Sequence, residues 1–167
     1  MEKTKFAIGC LVQWYESDII EEYIETLREA IDCYDGEVEV DILIVSNTDL
    51  EKPISDSSIM KQIDKIESIL LDYDFEFQTD WSIAGELYTI ADYRRDFNTQ
   101  YCDEVDVLIW GESDMLVPKE MFMAIDNLHQ HVKDSTPKYL STFGICKMWD
   151  NTWKPLEHVD FTDKPFI

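Results

Sequence analysis

The sequence is poor in positive charge. Of its 167 residues, 14 are lysine or arginine and 36 are aspartate or glutamate, which gives a formal net charge of -22 at pH 7. A protein that binds nucleic acid or anionic lipid needs basic side chains to neutralise phosphate groups. We therefore expect neither DNA, RNA nor an anionic membrane as a partner. A phosphorylated ligand would need a metal ion or a local arginine cluster.

Several other signals are missing from the chain. Its four cysteines include no Cys-x-x-Cys pair, and Cys10 and Cys146 lie in apolar runs, so we interpret the cysteines as reduced thiols. The apolar run after residue 5 is short and is broken by Gln13, which is typical neither of a signal peptide nor of a transmembrane segment. A cytoplasmic location follows. Internal repeats, linkers and low-complexity segments are also lacking.

What the chain does contain is the composition of one globular domain, which we assign to residues 1–167. The sequence is 45% hydrophobic and 13% aromatic, enough to bury a single core. Apolar runs predict strands, and helical spacing of apolar residues predicts helices between them. The predicted strands are 5–13, 38–45, 74–79, 105–110 and 138–149. The predicted helices are 19–31, 57–70, 85–101 and 118–129. This alternation predicts an α/β protein with a mostly parallel central sheet.

Two acids follow the strand predicted over 105–110. Glu112 and Asp114 are spaced i, i+2, and on an extended segment such residues point the same way. Mg²⁺ and Mn²⁺ accept one or two carboxylates and leave positions for substrate phosphates. Parallel sheets bind ligands beyond the carboxyl ends of their strands, so the pair predicts a cation site there. The alternative interpretation is that both acids are ordinary turn residues after a buried strand.

Four segments within residues 5–120 carry a resemblance. They are Leu-Val-Gln-Trp-Tyr-Glu at 11–16, Ile-Leu-Ile-Val-Ser-Asn-Thr-Asp at 42–49, Arg-Arg-Asp-Phe-Asn at 94–98 and Leu-Ile-Trp-Gly-Glu-Ser-Asp at 108–114. Their order and spacing resemble the nucleotide-binding half of glycosyltransferases of the GT-A fold, particularly the large family-2-like group. The resemblance implies a Rossmann-like three-layer sandwich for nucleotide-diphospho-sugar transfer, with 5–120 as the nucleotide-sugar half.

The resemblance also implies roles for individual residues. The expected nucleotide-sugar contacts are Tyr15, Glu16, Ser46, Asp49, Arg94, Arg95, Asn98 and Glu112. The Asp-x-Asp-like motif would bind Mn²⁺ or Mg²⁺ through Asp114 and Glu112, with His158 as a further ligand. Two positions depart from the family pattern: Ser46 stands where the family has an Asp that contacts uracil, and Glu112 replaces the first Asp of the motif.

Plainer interpretations stay open for several of these residues. Arg94 and Arg95 could pair with neighbouring acids on a helix surface. His158 could be an ion-paired surface residue beside Glu157. The segment after Asp114 is short for an acceptor-binding half, so we expect residues 121–167 to be a partial half, as in a fragment of a longer protein. Its candidate bases are Asp150, Glu157 and Asp160, none within a motif.

The sequence therefore predicts a metal-dependent glycosyltransferase that moves a sugar from a nucleoside-diphosphate donor, UDP-linked by the resemblance, to an acceptor that the sequence does not specify. Two other classes of function remain. One is a non-catalytic module that binds a nucleotide sugar or a divalent cation. The other is an interaction domain of the same fold.

Overall fold

The computed structural model of this chain describes residues 2–46, 57–80, 88–136, 138–140, 147–149 and 155–157. Its contacts divide the chain into two compact units, Met1–Gln130 and His131–Ile167. The elements of the first unit are β1 (Phe6–Gln13), a 3-10 helix (Trp14–Glu16), α1 (Ile20–Asp32), β2 (Val38–Val45), α2 (Ser57–Asp72), β3 (Gln78–Asp80), α3 (Ile90–Tyr101), β4 (Val107–Gly111) and α4 (Met121–Val132), whose last two residues pass into the second. The second unit contains an antiparallel pair, β5 (Lys147–Trp149) and β6 (Pro155–Glu157).

The four strands of the first unit form one parallel sheet in the order β3-β2-β1-β4. The sequence-based prediction that 5–13, 38–45 and 105–110 are neighbours in a single sheet is confirmed. From β1 the chain adds β2 and β3 on one side and then returns to add β4 on the other. The fold is therefore α/β with a Rossmann-like layout, and the strand order reverses between β1 and β4.

Helices cover both faces of β1. Phe6, Ile8, Cys10 and Val12 belong to a core with α1, α2 and α4, whereas Ala7 and Leu11 pack with Tyr93 and Phe97 of α3. Because successive side chains of a strand point to opposite faces, these two cores lie on opposite sides of the sheet. This double coverage explains why β1 is an unbroken apolar run.

Glycine at position 9 lets α3 approach the sheet closely. A Cβ atom at Gly9 would lie 2.8 Å from the ring of Phe97 and 2.9 Å from the hydroxyl of Tyr93. That hydroxyl donates to the backbone carbonyl and the carboxylate of Asp41 in β2, at 2.9 and 2.6 Å. The helix that carries Arg94 and Asn98 is thereby fixed against the sheet.

The third strand begins later than the sequence predicts, at Gln78 rather than residue 74. Asp74 adopts a left-handed backbone conformation with φ of 58°, and the Phe75 N–H donates to the Leu70 carbonyl at 2.9 Å. Such a turn closes a helix by satisfying its last carbonyls. Arg28 of α1 stacks on the Phe75 ring, 4.1 Å from its centroid, and donates to the Tyr73 carbonyl. Residues 73–75 therefore complete α2 instead of extending β3.

Other element boundaries also differ from the predicted ones. Thr89 caps α3 by accepting from the Asp92 N–H, so this helix begins at Ile90. The start predicted at residue 85 lies outside the described residues. Residues 138–140 are not in a strand, so within the described part the strand predicted over 138–149 is confined to Lys147–Trp149. No helix in the described part of the chain has the length and apolar character needed to cross a membrane.

Candidate functional site at the carboxyl ends of β1 and β4

The candidate site lies where β1 and β4 end side by side. Cys10 of β1 is in register with Gly111, the last residue of β4. β1 continues to Gln13 and then forms the 3-10 helix, while β4 leads directly into the acids that the sequence singled out. In open parallel sheets, the crevice beyond the carboxyl ends of strands at a reversal of strand order is the usual ligand position.

The two acids lie on a turn rather than on a strand. β4 ends at Gly111, and the Met115 N–H donates to the Glu112 carbonyl at 3.1 Å. The i, i+2 rule for side chains of an extended segment therefore does not apply to Glu112 and Asp114, since the turn sets their directions. Both Glu112 and Asp114 are exposed, whereas Ser113 between them is buried. Exposure leaves both carboxylates accessible to a ligand.

Glu16 joins the loop after β1 to this turn. Its carboxylate accepts from the Gln13 N–H at 2.6 Å, and the Ser113 side chain interacts with it from the turn after β4. Burial raises the pKa of Glu16, the hydrogen bonds from Gln13 and Ser113 partly oppose that rise, and the charges of Asp114 and Glu112 add to it. The structure thus brings Glu16, predicted from the first loop, into the electrostatic field of the two predicted metal ligands.

Arg94 and Asn98 lie on α3, which covers the face of the sheet opposite α1. Their side chains contact Glu112 of the turn and Trp110 near the end of β4. The Arg94 guanidinium forms an ion pair with Glu112 and lies 5.2 Å from the centroid of the Trp110 ring. Asn98 accepts a hydrogen bond from the Trp110 indole N–H at 3.0 Å. One positive charge is therefore held at the edge of the acidic turn, with its direction set by a fixed aromatic ring.

Arg95 lies elsewhere on α3. Its guanidinium pairs with Asp92 at 3.0 Å and with Asp96 at 3.4 Å, and its side chain is 65% exposed. The surface ion-pair interpretation describes this residue, whereas Arg94 is the arginine that reaches the acidic turn. Arg94 and Asn98 are spaced i, i+4 and share one helix face. Arg95 and Asn98 are spaced i, i+3, which also places two residues on one helix face, so the spacing alone did not distinguish the two arginines.

Tyr15 and Ser46 have different surroundings. Tyr15 is 53% exposed and contacts the Trp14 ring edge-on, with centroids 5.6 Å apart. Ser46 is buried, and its N–H and hydroxyl both lie 3.3 Å from the carbonyl of Asp80, at the end of β3. Its side chain therefore ties β2 to β3, while Tyr15 remains accessible at the end of β1.

Of the five remaining predicted site residues, the structure describes one, Glu157. Asp49, Asp150, His158 and Asp160 lie outside the described residues. Glu157 ends β6 in the second unit.

The donor set can be compared with the needs of a divalent cation. Within the described ranges, no group of three or more His, Cys, Asp or Glu side chains is placed to hold a metal ion. Mg²⁺ does not require such a cage, because it is commonly bound by one or two carboxylates together with substrate phosphates and water. Glu112 and Asp114 provide two exposed carboxylates of the kind that such a set uses.

Two positions beneath the turn, Tyr23 and Gly111, were not singled out in the sequence. Tyr23 of α1 is fully buried, and its hydroxyl has no hydrogen-bond partner within the described residues. The Cys10 thiol contributes, after burial, to raising the pKa of this hydroxyl. The two groups nevertheless do not form a hydrogen bond. A Cβ atom at Gly111 would lie 2.5 Å from this hydroxyl. Glycine is therefore required at the end of β4 because the tyrosine occupies the adjacent space.

We expect Gly111→Ala to destabilise the protein by about 2 kcal/mol, because a methyl group inserted into a filled space forces its neighbours to shift. In a Tyr23→Phe background the cost should fall by at least about 1 kcal/mol, since the obstructing oxygen is gone. Tyr23→Phe alone should be neutral or stabilising, because it removes a buried hydroxyl without a partner. Urea unfolding of the four proteins measures this coupling.

Tyr34→Phe provides the matched control for that cycle. It also removes a buried tyrosine hydroxyl, but one that donates to the Thr4 carbonyl at 2.7 Å, near the start of β1. Its effect should simply add to that of Gly111→Ala. If the effects of Tyr23→Phe and Gly111→Ala on the free energy of unfolding were also additive, the steric explanation would be contradicted.

No protein-family model, curated protein or solved structure matches this chain.

Proposed function

We propose that this chain is a metal-dependent glycosyltransferase of the GT-A type, which transfers a sugar from a nucleoside-diphosphate donor, UDP-linked in the first instance, to an acceptor. The observation that carries the proposal is the position of Glu16, Glu112 and Asp114. These acids follow β1 and β4, the two strands between which the strand order reverses. That position is where α/β sheets bind nucleotides.

Charge supports a cation as part of the site. A diphosphate would approach Glu112 and Asp114, and the local positive charge on the described residues is Arg94, which is already paired with Glu112. With a net charge of -22, the protein as a whole repels an anionic ligand. A divalent cation held by Asp114 and Glu112 would reverse the local sign. When bound, it would stabilise the negative charge that develops on the leaving diphosphate.

The protein groups around the turn would then orient the donor. Arg94 can donate to a phosphate oxygen, and its stacking on Trp110 limits the directions it can take. The hydrogen bond from the Gln13 N–H fixes the Glu16 carboxylate, which also interacts with Ser113 of the turn after β4. Tyr15 presents an exposed ring beside the end of β1, where a base could stack. Fixed groups of this kind lower the entropy cost of reaching a reactive arrangement.

The test is calorimetry of UDP binding in Mn²⁺ and in EDTA, followed by donor turnover assays with UDP-sugars. We expect UDP to bind measurably with Mn²⁺ and at least about tenfold more weakly without it, because Arg94 alone does not outweigh the surrounding acids. Equal affinities in the two buffers would contradict the metal-dependent site. Tighter binding of GDP would change only the base assignment.

The same experiments separate the alternatives that the sequence left open. Metal-dependent binding without turnover of any donor would identify a non-catalytic nucleotide-sugar or cation-binding module. Absence of binding for every nucleotide and for Mn²⁺ alone would identify an interaction domain.

A further inference from the structure

The Arg94 guanidinium, which could bind an anionic ligand, is already paired with a carboxylate of the same chain. It pairs with Glu112 through Nη2, while its Nε–H is buried and has no hydrogen-bond partner within the described residues. Trp110, itself held by Asn98, lies against the guanidinium. A planar guanidinium offers several parallel donors to an oxyanion, and a phosphate can use two of them at once.

We infer that Arg94 and Trp110 form an anion subsite for a phosphate group, and that the Glu112 carboxylate occupies this subsite until a ligand arrives. Glu112 stands in for the phosphate, since both present oxygen atoms with negative charge to the same guanidinium. The inference deepens the proposed function, on which it rests for the identity of the anion as the donor diphosphate.

This arrangement predicts that the cation and the diphosphate assist each other. Glu112 cannot give its full charge both to Arg94 and to a cation at the turn. A cation that binds Glu112 therefore releases Arg94 for the phosphate, and a phosphate that binds Arg94 releases Glu112 for the cation. The two binding events are linked in free energy, and the linkage acts equally in both directions.

The side-chain exposures allow such an exchange. Arg94 is 32% exposed and Glu112 is 52% exposed, so both are accessible while remaining partly shielded from solvent. The Met115 N–H donates to the backbone carbonyl of Glu112, so this hydrogen bond of the turn does not involve the Glu112 carboxylate. We therefore expect the exchange to change the side chain of Glu112 and to leave this backbone hydrogen bond in place.

The experiment is calorimetric titration of Glu112→Gln with pyrophosphate in EDTA. Without the competing carboxylate, Arg94 should bind pyrophosphate at least about tenfold more tightly than in the wild type. In the double variant Glu112→Gln with Arg94→Gln, that gain should disappear. Mn²⁺ binding, measured separately without pyrophosphate, should weaken in Glu112→Gln. Glu112→Ala should reproduce the gain in pyrophosphate affinity, which guards against a specific effect of the amide.

Asp96→Asn is the matched control. It also removes one negative charge next to an α3 arginine, because Asp96 pairs with Arg95. Its pyrophosphate affinity should stay within about twofold of the wild type, since salt screens exposed charges that do not contact the ligand. Unchanged affinity in Glu112→Gln, or equal gains in Glu112→Gln and Asp96→Asn, would overturn the inference.

These outcomes are independent of sugar transfer. A protein that gains pyrophosphate affinity on Glu112→Gln but never turns over a donor would retain the subsite and lose the proposed function. A protein that shows metal-dependent donor turnover without this gain would retain the function and lose the subsite.

Discussion

Asp114→Asn is expected to weaken metal-dependent UDP binding by at least about 100-fold. Removing a group that only supports a metal ligand costs about 10–100-fold, and Asp114 is proposed as a ligand itself. A neutral amide is a poor ligand for a hard cation, which prefers carboxylate oxygen. The unfolding free energy without metal should hardly change and could increase. Burial is the main cause of the raised pKa of Glu16, and hydrogen bonds to its carboxylate lower that pKa. The Asp114 charge raises it further, so the two carboxylates repel each other in the folded protein.

Urea unfolding without metal and Mn²⁺ titration with UDP, applied to the same samples, measure the two effects. Asp103→Asn is the control, because Asp103 is also an exposed turn aspartate but lines a pocket with Lys3 and Lys5, which flank the start of β1 rather than its carboxyl end. It should leave UDP and Mn²⁺ binding intact. If Asp114 served only to hold the turn, its replacement would cost about 0.5–2 kcal/mol, as for a lost cap, and metal binding would be unchanged.

The second large effect concerns Asp126, at the other end of β1. Its carboxylate accepts from the Thr4 N–H at 3.2 Å, from the Thr4 hydroxyl at 2.5 Å and from Gln130 at 3.3 Å. Its side chain is only 10% exposed. We expect Asp126→Ala to cost about 3 kcal/mol, because the buried donors of Thr4 would lose their acceptor. Thermal or urea unfolding checks this value.

Asp35→Ala is the matched control for Asp126→Ala. Asp35 pairs with Lys3 at 2.8 Å, as Asp126 does at 3.6 Å, but the Asp35 side chain is 77% exposed. An exposed ion pair contributes at most about 1 kcal/mol, so the control should lose little stability. Equal losses in the two variants would mean that the charge of the carboxylate, and not its burial and hydrogen bonds, determines the effect.

Asp126 should also give the protein a pH-dependent stability. Burial by itself raises the pKa of this carboxyl, but the hydrogen bonds from Thr4 and Gln130 and the charge of Lys3 outweigh burial and lower it from 3.8. The charged form is therefore favoured in the folded state. The resulting stabilisation is complete above the unfolded pKa and is lost as the pH falls through the folded pKa. The stability difference between wild type and Asp126→Ala should accordingly shrink below about pH 4.

The sheet could be predicted because its strands are marked by simple patterns. β1 and the end of β2 are apolar on both faces, which in a chain of alternating strands and helices requires cover on both sides. The exact ends of elements could not be predicted, since the left-handed turn at Asp74 and the cap at Thr89 are decided by a few local hydrogen bonds. The acids after β4 were recognised, but their turn geometry was not.

The contacts that build the candidate site were beyond prediction for a different reason. The interaction of Ser113 with Glu16 and the close approach of Tyr23 to Gly111 join residues far apart in the sequence. Neither pair carries a pattern until β1 and β4 are known to be neighbours. The choice of Arg94 over Arg95 needed the orientation of α3, which depends on how Tyr93 and Phe97 pack around Gly9.

The position of β1 between β2 and β4 also bears on how the chain folds. Phe6 pairs with Val38 in β2 and with Val107 in β4, a separation about three times as long. Closing the longer loop costs about 1 kcal/mol more in chain entropy, so we expect β1 and β2 to associate first. Until β4 arrives, β1 keeps one bare edge that another chain could join. The crevice at the carboxyl ends would then be the last part to form, and any ligand bound there would retain β4 and slow unfolding.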